Sequence, residues 1–176
     1  MSKAVFVLIT VLFVLVSPCS AGEDEGGVVM KITSPEFEHN GFIPKKFTCQ
    51  GKDINPALEI KGIPENAKGL ALIVDDPDAP MGMWVHWVVY NIPLLSKIEE
   101  DSVPGKQAMN DFRRKDWGGP CPPSGTHRYF FKIYALDTEI DLKQGAGKKD
   151  LEKAMDGHTM AKAELIGLYK KHQGLL

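Results

Sequence analysis

Three short segments of the chain place polar or aromatic side chains two residues apart: Asp76 and Asp78, Trp84 and His86, and His127 and Tyr129. In an extended strand residues i and i+2 share a face, so each pair can point one way. Trp84 and His86 are followed on that face by Val88 and Tyr90, and His127 and Tyr129 by Phe131 and Ile133. Pro77 disfavours helix at Asp76, which keeps Asp76-Pro77-Asp78 extended and lets both carboxylates face one side. Convergence of the three strand ends would build a small pocket with two carboxylates, two imidazoles, a phenol and an indole. Imidazole N–H groups and the phenol donate to an oxyanion, while a carboxylate and an indole face suit an ammonium. Such a group of side chains would suit a small anion or zwitterion. Each segment also has a plainer role, because Asp-Pro-Asp makes turns in which Asp accepts backbone N–H groups and a lone strand histidine or tryptophan is ordinarily core. The conjunction of the three carries the reading.

The elements that must position these residues read as mainly β. Residues 69–74 form an apolar run that stops at Asp75-Asp76-Pro77, residues 84–91 a second strand ended by Pro93, and residues 127–137 a third, rich in aromatic and β-branched side chains. Residues 28–33 are expected to supply a first short strand, and Phe42, Phe47 and Leu58 core side chains between turns. The polar stretch 96–118 is expected to be a long surface connection. After Gly145 and Gly147 the apolar period lengthens. Asp150 is expected to cap a short helix through Asp156 that Gly157 ends, and residues 160–172 to form a second helix with Leu165, Leu168 and Tyr169 on one face. The 17 glycines and 12 prolines fit many turns and short strands.

The chain's 176 residues are enough for one domain with a sizeable core. Its 21 Lys+Arg against 23 Asp+Glu, a net charge of −2, with no long basic run, exclude a nucleic-acid binder of the ordinary kind. Lys3 precedes a run from Ala4 to Val16 in which only Thr10 is polar, and Ser17-Pro18-Cys19-Ser20-Ala21 follows. This reads as a signal peptide over residues 1–21, too short for a membrane span, then a flexible leader over 22–27 and one domain over 28–176. A lipoprotein anchor at Cys19 is the weaker reading, since Pro18 stands where a small residue is needed. Export to a periplasmic or extracellular space leaves Cys49 and Cys121, which are open to two readings, a disulfide or two buried free thiols. No CxxC or paired-histidine motif accompanies them to make a zinc site.

Four blocks, Asp76-Pro77-Asp78-Ala79-Pro80, Trp84-Val85-His86-Trp87, Gly119-Pro120-Cys121-Pro122-Pro123 and Gly125-Thr126-His127-Arg128-Tyr129, resemble in content and order the signature of the phosphatidylethanolamine-binding proteins. The resemblance covers nearly all of residues 28–172 and is nearest the bacterial and archaeal branch called Raf kinase inhibitor-like. It implies a large central antiparallel sheet packed on a smaller sheet, with peripheral and C-terminal α-helices. It also implies an anion pocket for phosphate or a phospholipid headgroup, which falls on Asp76, Asp78, Trp84, His86, Gly119, Pro120, His127 and Tyr129, with no cofactor. The eukaryotic insertion after the aspartate motif is replaced by Met81-Gly82-Met83, and Cys121 stands where eukaryotic members carry proline. A kinase partner does not fit an exported chain.

Two other function classes compete. Two Asp and two His are ligands a metal-dependent phosphoester hydrolase would use, but no HExxH or GxSxG motif is present and Ser124 lacks a nucleophile-elbow context. The expectation is therefore a non-catalytic binding protein. The alternative is an inhibitor or modulator of an exported protease or other protein, with 96–118 as its surface. Pairing into a homodimer is compatible with the family.

Overall fold

The computed structural model describes residues 29–171; the signal-peptide and leader readings lie outside them. Nine strands and one α-helix follow in chain order, with a single 3₁₀ turn at Lys45–Phe47 between the second and third strands: β1 (Lys31–Thr33), β2 (Gly41–Phe42), β3 (Leu58–Lys61), β4 (Gly69–Asp76), β5 (Trp84–Ile92), β6 (Lys97–Ile98), β7 (Lys106–Gln107), β8 (Thr126–Leu136), α1 (Lys148–Met155) and β9 (Thr159–Lys170). They build a six-stranded sheet in the order β2-β9-β8-β4-β5-β7 and a three-stranded sheet in the order β1-β3-β6. All pairings are antiparallel except β2 with β9.

The core lies between the sheets, where Leu70, Leu72, Val74, Phe131 and Ile133 of the large sheet meet Ile32, Leu58, Ile60 and Ile98 of the small one. A second cluster covers part of the opposite face, with Ala71, Ile73, Val88 and Tyr90 under Leu151 and Met155 of α1. β4 is buried along its whole length because both its faces are covered, as a continuous apolar run requires.

The expected second helix is a strand. β9 pairs with β8 from Lys170 opposite Thr126 to Thr159 opposite Leu136. Leu165, Leu168 and Tyr169 satisfy a helical spacing, but Leu165, Gly167 and Tyr169 satisfy an alternating one equally, and those three are the buried residues. Gly167 is decisive: a side chain there would drive into Ile43 and Phe37, whereas a glycine inside a helix costs about 1 kcal/mol. The fold class is mainly β, with α1 its one α-helix among the described residues.

Three smaller expectations also change. α1 begins at Lys148, and Asp150, three residues in, reaches back to accept the Gly147 N–H at 3.0 Å; Gly157 follows with φ 75°. Phe42 is 63% exposed, because its pairing opposite Leu168 turns it to the outer face and leaves Ile43 to enter the core. The 96–118 stretch holds β6 and β7 and buries Ala108, Asn110 and Trp117, so it is partly interior. Phe47 and Leu58 are fully buried as expected.

Candidate functional site

The alternation along β4 that sends Leu70, Leu72 and Val74 inward carries on to Asp76, and that of Ala71 and Ile73 to Asp75. Asp76, only 3% exposed, accepts the Nδ1–H of His127 on Oδ2 at 2.7 Å and the Asp78 amide on Oδ1 at 2.8 Å. The turn role of Asp-Pro-Asp and the pairing role are thus filled by the same carboxylate. His127 is set by β8, where His127, Tyr129, Phe131 and Ile133 are all buried, as their alternation predicts.

His86 owes its position to a β-bulge. Val74 pairs with Trp87 and Asp75 with Val85, so His86 is an extra residue without a partner on β4. The insertion changes the phase of β5. Trp84 and His86 reach the pocket, but Val88 and Tyr90 do not continue their face; Trp87 and Val89 do, and Val88 and Tyr90 join the outer cluster.

The His86 ring is oriented by the loop before Gly119. Its Nδ1–H donates to the Gly118 carbonyl, the Gly118 N–H returns to the His86 carbonyl at 3.2 Å, and Asn110 Nδ2 donates to the same carbonyl at 3.1 Å. A carbonyl can only accept, so the proton sits on Nδ1 and the neutral ring presents a lone pair at Nε2. Burial pushes the His86 pKa below its ordinary 6.5, outweighing the Gly118 hydrogen bond and the charges of Asp76, Asp75 and Asp111. The expectation that both histidines offer N–H groups therefore changes at His86, which offers an acceptor.

Tyr129 is 1% exposed and its hydroxyl has no hydrogen-bond partner. Burial first, then the Asp76 charge, holds its proton on far above the ordinary phenol range. Asp76 and the Cys121 amide are close enough to bias that proton while lying outside hydrogen-bond geometry.

These groups line a cavity of about 380 Å³. Asp76, Trp84, His86, His127 and Tyr129 come together there, and Ala79, Pro80, Met81, Phe112, Pro122 and Pro123 make the remaining walls largely apolar. Phe112 is the residue that motif reading missed. Its ring meets both Trp84 and His86 edge-on at 5.4 Å, and the only signal for it was an aromatic residue in the otherwise polar run Asp111-Phe112-Arg113-Arg114-Lys115.

Asp78, Gly119 and Pro120 lie outside the lining. Asp78 faces away from Asp76, taking the Arg128 Nε at 2.9 Å and Nη2 at 2.7 Å; the guanidinium hydrogen bond holds its pKa down at about 2. Gly119 and Pro120 fix the wall. The Gly119 N–H donates to Asp53 Oδ1 at 2.7 Å, and a Cβ at Gly119 would collide with that carboxylate and the Phe47 carbonyl. The Pro120 carbonyl accepts the Cys49 N–H at 3.2 Å.

Of the two readings for the cysteines, the structure has the disulfide. Cys49 and Cys121 are bonded across 72 residues, a loop whose closure is worth about 4 kcal/mol in the chain-entropy account. Cys121 itself lines the cavity. Among the described residues no three His, Cys, Asp or Glu side chains are grouped to hold a metal ion, and no helix is long and apolar enough to cross a membrane.

Fold and site together define a two-sheet β domain with an Asp–His pair at the floor of a mostly apolar pocket, where the ends of β4, β5 and β8 meet. The family model described as phosphatidylethanolamine-binding protein matches residues 33–170. The chain is 45% identical to a UPF0098 protein of Pyrococcus horikoshii, covering 97% of this chain and 91% of the relative, and 48% identical to one of Methanothermobacter thermautotrophicus, covering 81% and 99%. The crystal structure of a phosphatidylethanolamine-binding protein homologue, CT736 of Chlamydia trachomatis, superposes with a TM-score of 0.80 at 41% identity, covering 82% of this chain and 99% of that one. Escherichia coli YbcL, described as a new member of the mammalian family, gives 0.75 at 30% identity, covering 81% and 99%. The chain belongs to the phosphatidylethanolamine-binding protein family.

Proposed function

We propose that the protein is a non-catalytic binder of small oxyanions, phosphate or the phosphoryl head of a phospholipid, acting outside the cytoplasm. The observation that carries this reading is the unpartnered, buried Tyr129 hydroxyl beside the Asp76–His127 pair in an otherwise apolar cavity. A buried donor left unmade costs about 1–3 kcal/mol, and an oxyanion in the cavity recovers that cost. His127 presents Nε2 opposite its bond to Asp76 and donates through it when the ring is charged. The ammonium end of a zwitterion finds less here. All four carboxylate oxygens of Asp76 and Asp78 already accept a hydrogen bond, so the phosphoryl group is the part recognised. The disulfide is consistent with an oxidising compartment.

Calorimetric titration with inorganic phosphate tests the reading. Saturable binding by the wild type and a loss of about tenfold or more in affinity in Tyr129→Phe, with the melting temperature kept, are expected. Equal binding by the two proteins would remove Tyr129 from the site, and no binding by either would remove the anion. Turnover of an aryl phosphate by the purified protein would overturn the non-catalytic part, and recovery of unprocessed protein in the cytoplasmic fraction of its own cells would overturn export.

A further inference from the structure

We propose that the pocket takes its phosphoryl ligand as a singly protonated monoester, whose P–OH donates to Nε2 of His86 while another of its oxygens accepts from the Tyr129 hydroxyl. This rests on the anion-binding reading and goes further by naming the ligand's protonation state and ester class. Three independent features lead to it.

The first is the direction of the hydrogen bonds. Nδ1 of His86 is spent on the Gly118 carbonyl, so Nε2 of the neutral ring is an acceptor facing a cavity that holds one unmade donor, Tyr129. An oxygen without a proton meets Nε2 lone pair to lone pair; a P–OH turns the same contact into a hydrogen bond.

The second is charge. Asp76 is paired with His127, Arg128 is matched by Asp78, and Arg114, which lies over the Phe112 ring, is matched by Asp116. Behind the His86 strand, Asp75 is matched by Lys132 and Lys148, and Asp111 adds a further negative field. No uncompensated cation faces the cavity among these groups, so a dianion enters without a countercharge.

The third is the wall. Apolar surfaces from Met81, Trp84, Phe112 and Pro122 surround the polar floor, and desolvating two charges there costs far more than desolvating one. The same surfaces accommodate an ester substituent that inorganic phosphate lacks.

A pair of probes separates the proposal from the reading beneath it. Methyl phosphate near pH 5 and dimethyl phosphate both carry one negative charge, since the second ionisation of a monoester lies at about pH 6, but only the first has a P–OH. Calorimetry is expected to show methyl phosphate binding at least about tenfold more tightly, because a site built to pair a hydroxyl rejects the analogue without one. Near pH 8, where free methyl phosphate is a dianion, titration in two buffers of different ionisation enthalpy is expected to show uptake of about one proton per site. Vesicles of phosphatidylcholine containing phosphatidic acid, against soluble glycerol 3-phosphate, tell whether the monoester is taken from a membrane or from solution, and preference for either keeps the proposal. Equal affinity for the diester, equal retention on phosphatidylethanolamine vesicles, or dianion binding without proton uptake each overturn it while leaving an anion site. Failure of every phosphate probe overturns the anion site itself.

Discussion

Asp75 and Asp76 are neighbours on one strand, both buried, and they are employed in opposite ways. Asp75 points to the outer face, fully buried, and is gripped by Lys132 Nζ at 2.8 Å and Lys148 Nζ at 2.7 Å, tying β4 to β8 and to the start of α1. Asp76 points to the inner face, where its side-chain partner is the His127 ring at the floor of a cavity. Two fixed cations make a carboxylate a structural tie. One imidazole with a free edge makes it part of a site. Alternation along the strand is all that separates the two roles, so burial of a carboxylate alone says little about function.

The largest expected break in this comparison is Asp75→Ala. It leaves two lysines without their anion in a poorly solvated setting and is expected to cost about 3–5 kcal/mol in chemical denaturation, with phosphate affinity of the folded protein unchanged. A loss below about 1 kcal/mol would mean that Lys132 and Lys148 reach water freely, and the contrast would collapse. Asp76→Asn is expected to cost about 2 kcal/mol, the scale of a charge-assisted hydrogen bond. Its main effect is on binding, which should fall about tenfold or more because His127 loses its orienting carboxylate.

Acid distinguishes the two sides without mutation. Burial holds His86 below 6.5 in the folded chain, so the unfolded chain takes up the proton first and stability falls as the pH drops below 6.5. This site contributes up to about 1.4 kcal/mol per pH unit at most. Denaturation midpoints measured through that window are expected to decline in the wild type and to decline less in His86→Gln. The smallest effect belongs to the third carboxylate, Asp78. Its bidentate partner Arg128 is half exposed, so Asp78→Asn is expected to cost about 0.5 kcal/mol. That contribution is present above the ordinary carboxylate pKa of 3.8 and fades as the pH falls through about 2; a high-salt titration that leaves it unchanged would contradict a solvent-screened pair.

Much of the site was legible in the chain. The β8 face was read correctly, because a period-2 run with His127 and Tyr129 ahead of Phe131 and Ile133 has a single buried side. β4 was equally plain from its apolar run. The Asp-Pro-Asp segment was legible as an extended turn, but the partner of Asp78 was not, since Arg128 lies fifty residues away and reads locally as an ordinary exposed strand residue. Residues 160–172 read as helix because Leu165, Leu168 and Tyr169 share a face at helical spacing; pairing along all of β8 selects the alternating pattern instead. Phe112 escaped because a cavity wall drawn from a loop carries no period at all.

The extra residue at His86 means that the pocket is written in the length of β5 as well as in its residue types. Substitutions along Trp84–Ile92 change one wall or one core contact at a time. Removing a single residue beside His86 instead restores the two-residue rhythm at this point of the strand, and the imidazole and the indole behind it are then sorted to opposite sides of the sheet. Relatives that keep Trp84, His86 and Trp87 but lack the residue between Trp84 and His86 would therefore share the fold without sharing this pocket, and grafting the site onto another sheet requires transplanting the irregular pairing together with the side chains.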